Sequence, residues 1–319
     1  MIKIFALINS DSLAIPSLLK LREKGTLMGI GVIDKSSDIL VPKLKRAGID
    51  ATIYVLDKKG WVKSLQHAFE TTGANTTIIF TFPWIIPSEL IENRAVRFYN
   101  VHFGLLPAYR GADPIFWQIK NQEEYGGISV HQITEEIDAG PIVLKKEVQI
   151  RAGETYGFFC HRLGLFCAEI LDKILQAFEM APENLETNNR SQGSWWNKPV
   201  EVDLTINWET MEANEIEWLV NATNPKYAGA ITSIGNTRVL IKEVTPVDFE
   251  EEVTGLPGTI VHSDSAYGIV VACLNSSFLR ITIAELNEGI VSGVKLFNLG
   301  LHKGHRFDSP KVDGMIVKN

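Results

Sequence analysis

Three residues whose side chains together could handle a carbonyl and a proton lie in one stretch of the chain: Asn100, His102 and Asp138. The amide offers N–H donors, the imidazole donates or accepts near neutral pH, and the carboxylate takes up protons. None of the His, Cys or Asp/Glu spacings looks like a metal-ligand set, so the expected metal complement is none. Asn100 and His102 close an apolar run, Phe98 to Val101, that Gly104 and Pro107 cut short. A strand alternates its faces, so the amide and the imidazole point one way and Val101 the other. Asp138 sits between Ile137 and Ala139-Gly140, in a loop that follows a second β-like run, Ile128 to Thr134. Singly, each has an ordinary reading: a turn-forming Asn, a loop Asp, a hydrogen-bonded core His. Together they are three polar groups able to converge at one sheet edge.

The elements that must position them begin with an apolar strand over residues 2–8 and an amphipathic helix reaching Lys24. Strands then alternate with helices: a strand at Leu27–Ile33, a helix at Ile39–Ala47, a strand at Thr52–Leu56, a helix at Gly60–Thr71, and strands at Thr76–Phe82 and Phe98–His102. This alternation predicts an α/β fold with a doubly wound, mostly parallel, Rossmann-like sheet, whose ligands sit at the carboxyl ends of the strands. Asn100 and His102 lie at such an end. No G-x-G-x-x-G follows the first strand, so a dinucleotide site is not indicated. Ala112–Lys120 reads as a helix, Gly127–Ile133 and Pro141–Ile150 as strands, and Glu154–Met180 as one long helix. His131 shares a strand face with Ser129 and is either a supporting partner of His102 or Asp138, or an ordinary half-buried strand histidine. The loop Phe82-Pro83-Trp84-Ile85-Ile86-Pro87 is unusually apolar. It reads as a packed cap over the sheet or as one wall of a cleft for a flat ring.

From Ala181 to Pro199 the composition turns to Asn, Glu, Ser and Gly around Trp195-Trp196, a linker pattern in which the paired indoles would seal a domain seam. The expected domains are 1–185 (catalytic), 186–205 (linker) and 206–319. Five short strands between turn residues in the last predict a small antiparallel β-barrel of OB-like type. At 319 residues and 45% hydrophobic content the chain has enough apolar mass for two cores. It has no apolar run of the roughly 18 residues a membrane helix needs, and its N-terminus lacks the layout of a signal peptide. Together with three cysteines in no pairing pattern, this gives a cytoplasmic expectation. A net charge of −7 without a Lys/Arg block advertises no nucleic-acid surface.

Asn100-x-His102, Leu105-Leu106-Pro107, Arg110-Gly111 and Asp138-x-Gly140 together resemble the signature of the 10-formyltetrahydrofolate-dependent formyltransferase family. That family includes methionyl-tRNA formyltransferase, glycinamide ribonucleotide transformylase, amino-sugar formyltransferases and formyltetrahydrofolate hydrolase. The resemblance implies that Asn100, His102 and Asp138 are the catalytic residues. It also implies that 10-formyltetrahydrofolate is the donor, with Phe82, Trp84, Ile85, Leu105 and Ile137 lining its pocket. One departure is visible: the serine that often precedes Leu-Leu-Pro is Gly104 here. The pattern Asn224-Pro225-x-x-Ala228-Gly229-Ala230, followed by Pro257-Gly258-Thr259-Ile260, resembles the carboxyl-terminal domain of the methionyl-tRNA and amino-sugar enzymes. On this resemblance Asn100 and a ring N–H of His102 would donate to the tetrahedral oxygen, while Asp138 would hold the His102 tautomer and accept a proton.

The partners implied are folate and an amine acceptor. Methionyl-tRNA enzymes usually carry a long basic loop after the second strand, whereas this chain has only Asp34-Lys35-Ser36-Ser37-Asp38. That and the acidic balance favour a small amine such as an amino-sugar nucleotide, with methionyl-tRNA as the alternative and hydrolysis to formate as a further one.

Overall fold

The computed structural model describes residues 2–93, 95–179, 185–189, 191, 193–248 and 255–309. In chain order the elements run β1 (Ile4–Ile8), α1 (Asp11–Glu23), β2 (Leu27–Ile33), α2 (Asp34–Arg46), β3 (Ile53–Leu56), α3 (Trp61–Thr72), β4 (Thr76–Phe80), α4 (Ser88–Glu92) and β5 (Arg97–His102). There follow β6 (Arg110–Gly111), α5 (Pro114–Lys120), β7 (Tyr125–Gln132), β8 (Ile142–Gln149), α6 (Tyr156–Glu169), α7 (Leu171–Ala177) and β9 (Trp195–Trp196). The last are α8 (Ala213–Thr223), β10 (Ala230–Ile234), β11 (Thr237–Val247), β12 (Ile260–Asp264), β13 (Gly268–Ala272), β14 (Phe278–Leu286), β15 (Gly289–Ser292) and α9 (Gly293–Asn298). They form two compact units: Met1–Ile115, Tyr125–Gln149 and Phe158–Asn197 in the first, Phe116–Glu124, Ile150–Gly157 and Lys198–Asn319 in the second.

The first unit is built on a seven-stranded sheet in the order β3-β2-β1-β4-β5-β7-β8. β1 and β4, at its centre, are buried at every residue, as expected of parallel strands covered on both faces. The first five strands pair parallel, and β7 and β8 run antiparallel, which gives the mostly parallel α/β sheet expected. Leu27–Ile33 emerges as a strand with the predicted bounds, but α2 begins at once at Asp34 instead of near Ile39. The long helix expected from Glu154 is broken: Ile170 leaves helical geometry (φ −86°, ψ 5°) between α6 and α7, and the expected end at Met180 lies outside the described residues. Trp195 and Trp196 do not float in a linker. They pair with Arg110 and Gly111 inside the first unit, and the Trp196 indole stacks on Tyr109 with ring centroids 5.8 Å apart.

The second unit carries a six-stranded antiparallel sheet, β10-β11-β14-β13-β12 with β15 on β14. Its two edges are joined through residues 306–308, where Ser233 bridges Asp308 and Thr259 bridges Arg306. Inside lie Trp208, Ile216, Ile241, Val271, Leu279 and Phe307; Trp208 stacks on Phe307 and donates its indole N–H to Thr232 Oγ1 at 2.9 Å. This burial is the hydrophobic driving force for the small unit, and the one polar atom of its largest side chain is satisfied. All three cysteines are buried and free. Among the described residues no helix is long and apolar enough to cross a membrane.

Candidate active site

β5 delivers Asn100 and His102 to its carboxyl end, and antiparallel pairing sets Asn100 directly opposite His131 and His102 opposite Ser129 on β7. These four side chains project from one face of the sheet. The loop after β7 then brings back Asp138, whose carboxylate lies 3.3 Å from His131 Nε2, 3.4 Å from Asn100 Nδ2 and 3.7 Å from His102 Nδ1. His102, His131 and Asp138 are buried at 5%, 3% and 7% exposure, whereas Asn100 is only partly covered. The amide is thus the member of the group open to an incoming oxygen.

Hydrogen-bond partners decide the protonation pattern. His102 Nε2 lies 2.7 Å from the Tyr109 carbonyl, which only accepts, so Nε2 carries the proton and Nδ1 faces Asp138. The neutral tautomer of His102 is therefore set by a backbone carbonyl, where the sequence reading gave that role to Asp138. It also leaves no ring N–H of the neutral His102 aimed into open space. His131 Nδ1–H likewise donates to the Gln132 carbonyl at 3.0 Å, and its Nε2 stands between the Asn100 amide at 3.1 Å and Asp138 Oδ1 at 3.3 Å. Asn100 Nδ2 lies within hydrogen-bond distance of both His131 Nε2 (3.1 Å) and Asp138 Oδ1 (3.4 Å), and the amide is the half-exposed member of the group.

Burial pushes the His102 imidazole below its ordinary pKa, and the Asp138 charge only partly offsets this, so the resting ring is neutral. Burial by itself would raise Asp138. The opposing influence of His102 and His131, with the Gly111 N–H donating at 2.9 Å, holds its carboxyl well below the usual carboxylate range. Asp138 is thus an ionised carboxylate in a dry setting, beside a neutral imidazole whose Nδ1 can take a proton between the two.

The backbone holds these groups in uncommon conformations. Asp138, Tyr109 and Asp113 all have φ between 51° and 56°, the left-handed region that side chains other than glycine seldom adopt. Such residues cluster where a scaffold over-determines a functional loop. Gly104 is forced by packing: a Cβ there would stand 2.9 Å from His102 Nε2 and 2.8 Å from Pro114 Cβ. The departure from the family serine is therefore coupled to the His102–Tyr109 contact. Ser129 ties down the turn between them, accepting from Leu106 N at 2.9 Å and donating to Gly104 O at 2.7 Å.

The five residues expected to line a folate pocket divide. Phe82 and Trp84 are half-buried and form an aromatic trio with Trp61, with centroids 5.3–5.6 Å apart, on the core beneath the loop. Leu105 is half-buried, against Gly127, while Ile85 and Ile137 are open at 65% and 46% exposure. The residues that sequence reasoning missed act through backbone groups (the Tyr109 carbonyl, the Gly111 N–H) or come from the expected linker (Asn188). Of these only Gly111 falls in a motif quoted above, Arg110-Gly111, and there the contact comes from its backbone N–H. Among the described residues no cluster of His, Cys, Asp or Glu is arranged to hold a metal.

Comparison with known proteins gives the family. Residues 7–171 match the formyl transferase family model, and residues 201–300 match the formyl transferase C-terminal domain. A methionyl-tRNA formyltransferase from Thermotoga sp. (strain RQ2) is 26% identical over 242 residues, 73% of this chain and 77% of that protein. Among solved structures, an N-formyltransferase from Helicobacter canadensis, in complex with folinic acid and dTDP-3-aminofucose, has a TM-score of 0.63 at 17% identity, covering 88% of this chain and 98% of its own. HypX from Aquifex aeolicus in complex with tetrahydrofolic acid has a TM-score of 0.64 at 17% identity over 98% of this chain, which spans half of HypX (50%). The structural likenesses speak for the fold; the two family models cover both units and most of the sequence. The chain belongs to the formyl transferase family and is an enzyme of formyl-group transfer.

Proposed function

We propose that the protein moves the formyl group of 10-formyltetrahydrofolate to the primary amine of a small molecule of the amino-sugar-nucleotide kind. The observation that carries the formyl chemistry is the buried His102–Asp138–His131 set with one open amide, Asn100, at its edge. The amine nitrogen attacks the formyl carbon, forming a C–N bond and a tetrahedral carbon whose oxygen carries the negative charge. The half-exposed Asn100 amide turns an N–H to that oxygen, a contact worth about 3 kcal/mol in a site that excludes water. The attacking nitrogen becomes an ammonium, and its extra proton passes to the Asp138–His102 pair, where Nδ1 and the carboxylate share it. Return of that proton to N10 of the folate accompanies cleavage of the formyl C–N10 bond. Asn100, His102 and Asp138 keep the catalytic assignment, with His131 orienting the amide and the carboxylate.

Folate recognition is assigned to the apolar loop and the turn beside it, Phe82, Trp84, Ile85, Leu105 and Ile137. Support for a small acceptor comes from β2 running into α2 with no residue between Ile33 and Asp34, so that no long basic loop follows the second strand. The dTDP-amino sugar bound by the Helicobacter canadensis enzyme points the same way. Methionyl-tRNA is the second reading, favoured by the 26% identity to the Thermotoga enzyme. Incubation with 10-formyltetrahydrofolate separates them: formylation of dTDP-linked amino sugars but not of charged initiator tRNA is expected. Formylation of the tRNA alone overturns the small-amine assignment, and release of formate without any amine overturns both.

A further inference from the structure

We propose that Asn188 is a positioning residue for Asp138, the clasp of a strap that sets where the carboxylate stands relative to His102. The inference rests on the formyl-transfer reading above for its consequence, though not for its geometry. Asn188 Nδ2 donates to the Asp138 carbonyl at 2.8 Å and to the Gly140 carbonyl at 3.0 Å. Arg110 Nη2 donates to Asn188 Oδ1 at 2.6 Å and to its carbonyl at 3.1 Å, while Arg110 Nε donates to the Asp138 carbonyl at 3.0 Å. A guanidinium has no acceptor, so the Arg110 contact fixes the amide's orientation: oxygen toward the arginine, both N–H bonds toward the loop. Asn188 thus holds both ends of the three-residue turn that carries Asp138.

That turn needs holding. Asp138 is in the left-handed region at φ 51°, and Gly140 is pressed so closely on β7 that a Cβ would stand 1.8 Å from the Gln132 carbonyl. The rest of the strap secures the other half of the site. Ser194 accepts from the N–H groups of Tyr109 and Arg110, each at 3.0 Å, and the Trp196 carbonyl accepts from Ala112 N at 2.8 Å. The stretch so fixed supplies the Tyr109 carbonyl that holds His102 and the Gly111 N–H that holds Asp138. A segment whose composition reads as a linker therefore reaches both members of the proton-accepting pair through backbone contacts.

The charged and titratable groups facing His102 are Asp138, His131 and Arg110. Asp138 is the one that favours the protonated ring, so a carboxylate that drifts from Nδ1 lowers the His102 titration further. The test uses the full chain with Asn188→Ala and, as the conservative control, Asn188→Gln. His102 is followed by NMR of its ring carbons across pH, a readout that needs no substrate, beside kcat and the KM for 10-formyltetrahydrofolate. Expected for Asn188→Ala are a His102 midpoint lower by about half a pH unit and a kcat down about tenfold or more at unchanged KM, with partial return of both in Asn188→Gln. If Asn188→Ala does not fold, Asn188→Ser is read by the same criteria. A folded variant with the wild-type His102 midpoint overturns the proposal, as does a shifted midpoint with wild-type kcat. Wild-type enzyme that formylates no amine sinks the functional reading instead, and the titration still decides whether Asn188 places the carboxylate.

Discussion

Asn100 and His131 face each other across the antiparallel β5–β7 pair, amide nitrogen to imidazole nitrogen at 3.1 Å. Because register decides which residues meet, this contact follows from the return of the chain after α5 and not from anything local to either strand. It sets the half-exposed amide at the edge of the buried His102–Asp138–His131 group.

Replacing Asn100 by Ala removes the amide to which the oxygen-stabilising role is assigned. A fall in kcat of roughly 10²–10³ is expected, with the folate KM nearly unchanged and the melting curve intact. Asp138→Asn should cost at least as much, since it deletes the proton acceptor while keeping the shape. Steady-state kinetics decide both, and near wild-type turnover in either variant removes that residue from the mechanism.

Gly104→Ser restores the residue common in the family but not the room for it. Its Cβ would press on His102 Nε2 at 2.9 Å, so the ring must rotate away from the Tyr109 carbonyl. A displacement of this order costs about tenfold to a hundredfold in kcat. A Gly104→Ser enzyme with full kcat means that the ring tolerates a second position.

His102 makes the fold sensitive to mild acid. Its folded-state pKa is lowered, so the unfolded chain takes up a proton first as pH falls below about 6.5, and stability drops until the folded-state pKa is passed. The slope is at most about 1.4 kcal/mol per pH unit for one group. Urea unfolding at pH 7 and pH 5.5 should show a smaller loss for His102→Asn than for wild type. Asp138, whose pKa is also depressed, acts in a separate window that opens only below about pH 4.

Trp84→Ala tests the apolar loop. The indole packs on Trp61 and Phe82, so some stability is lost whatever its role. A rise in the KM for 10-formyltetrahydrofolate at similar kcat is expected if the loop walls the donor pocket. An unchanged KM makes the indole a packing residue alone.

How much of this was legible beforehand differs by residue. The alternation of apolar runs with helical stretches and the strand-end placement of Asn100 and His102 are local properties, written in periodicity and in Gly and Pro punctuation. They determined the α/β fold and the sheet edge that bears the site. The start of α2 at Asp34 and the break at Ile170 were not legible, because tertiary packing overrides weak local preference at helix ends. The tertiary structure alone decided that His131 belongs to the site and that Tyr109 O sets the His102 tautomer. It alone brought Asn188 to the Asp138 carbonyl and Trp195-Trp196 to Arg110-Gly111. The His131 and Asn188 contacts join segments distant in the chain, and the Tyr109 contact spans seven residues; strand register makes the first, and backbone carbonyls are the acceptors in the other two. Such groups leave no mark in the identity of the amino acid, so only the folded chain reveals which of them meet.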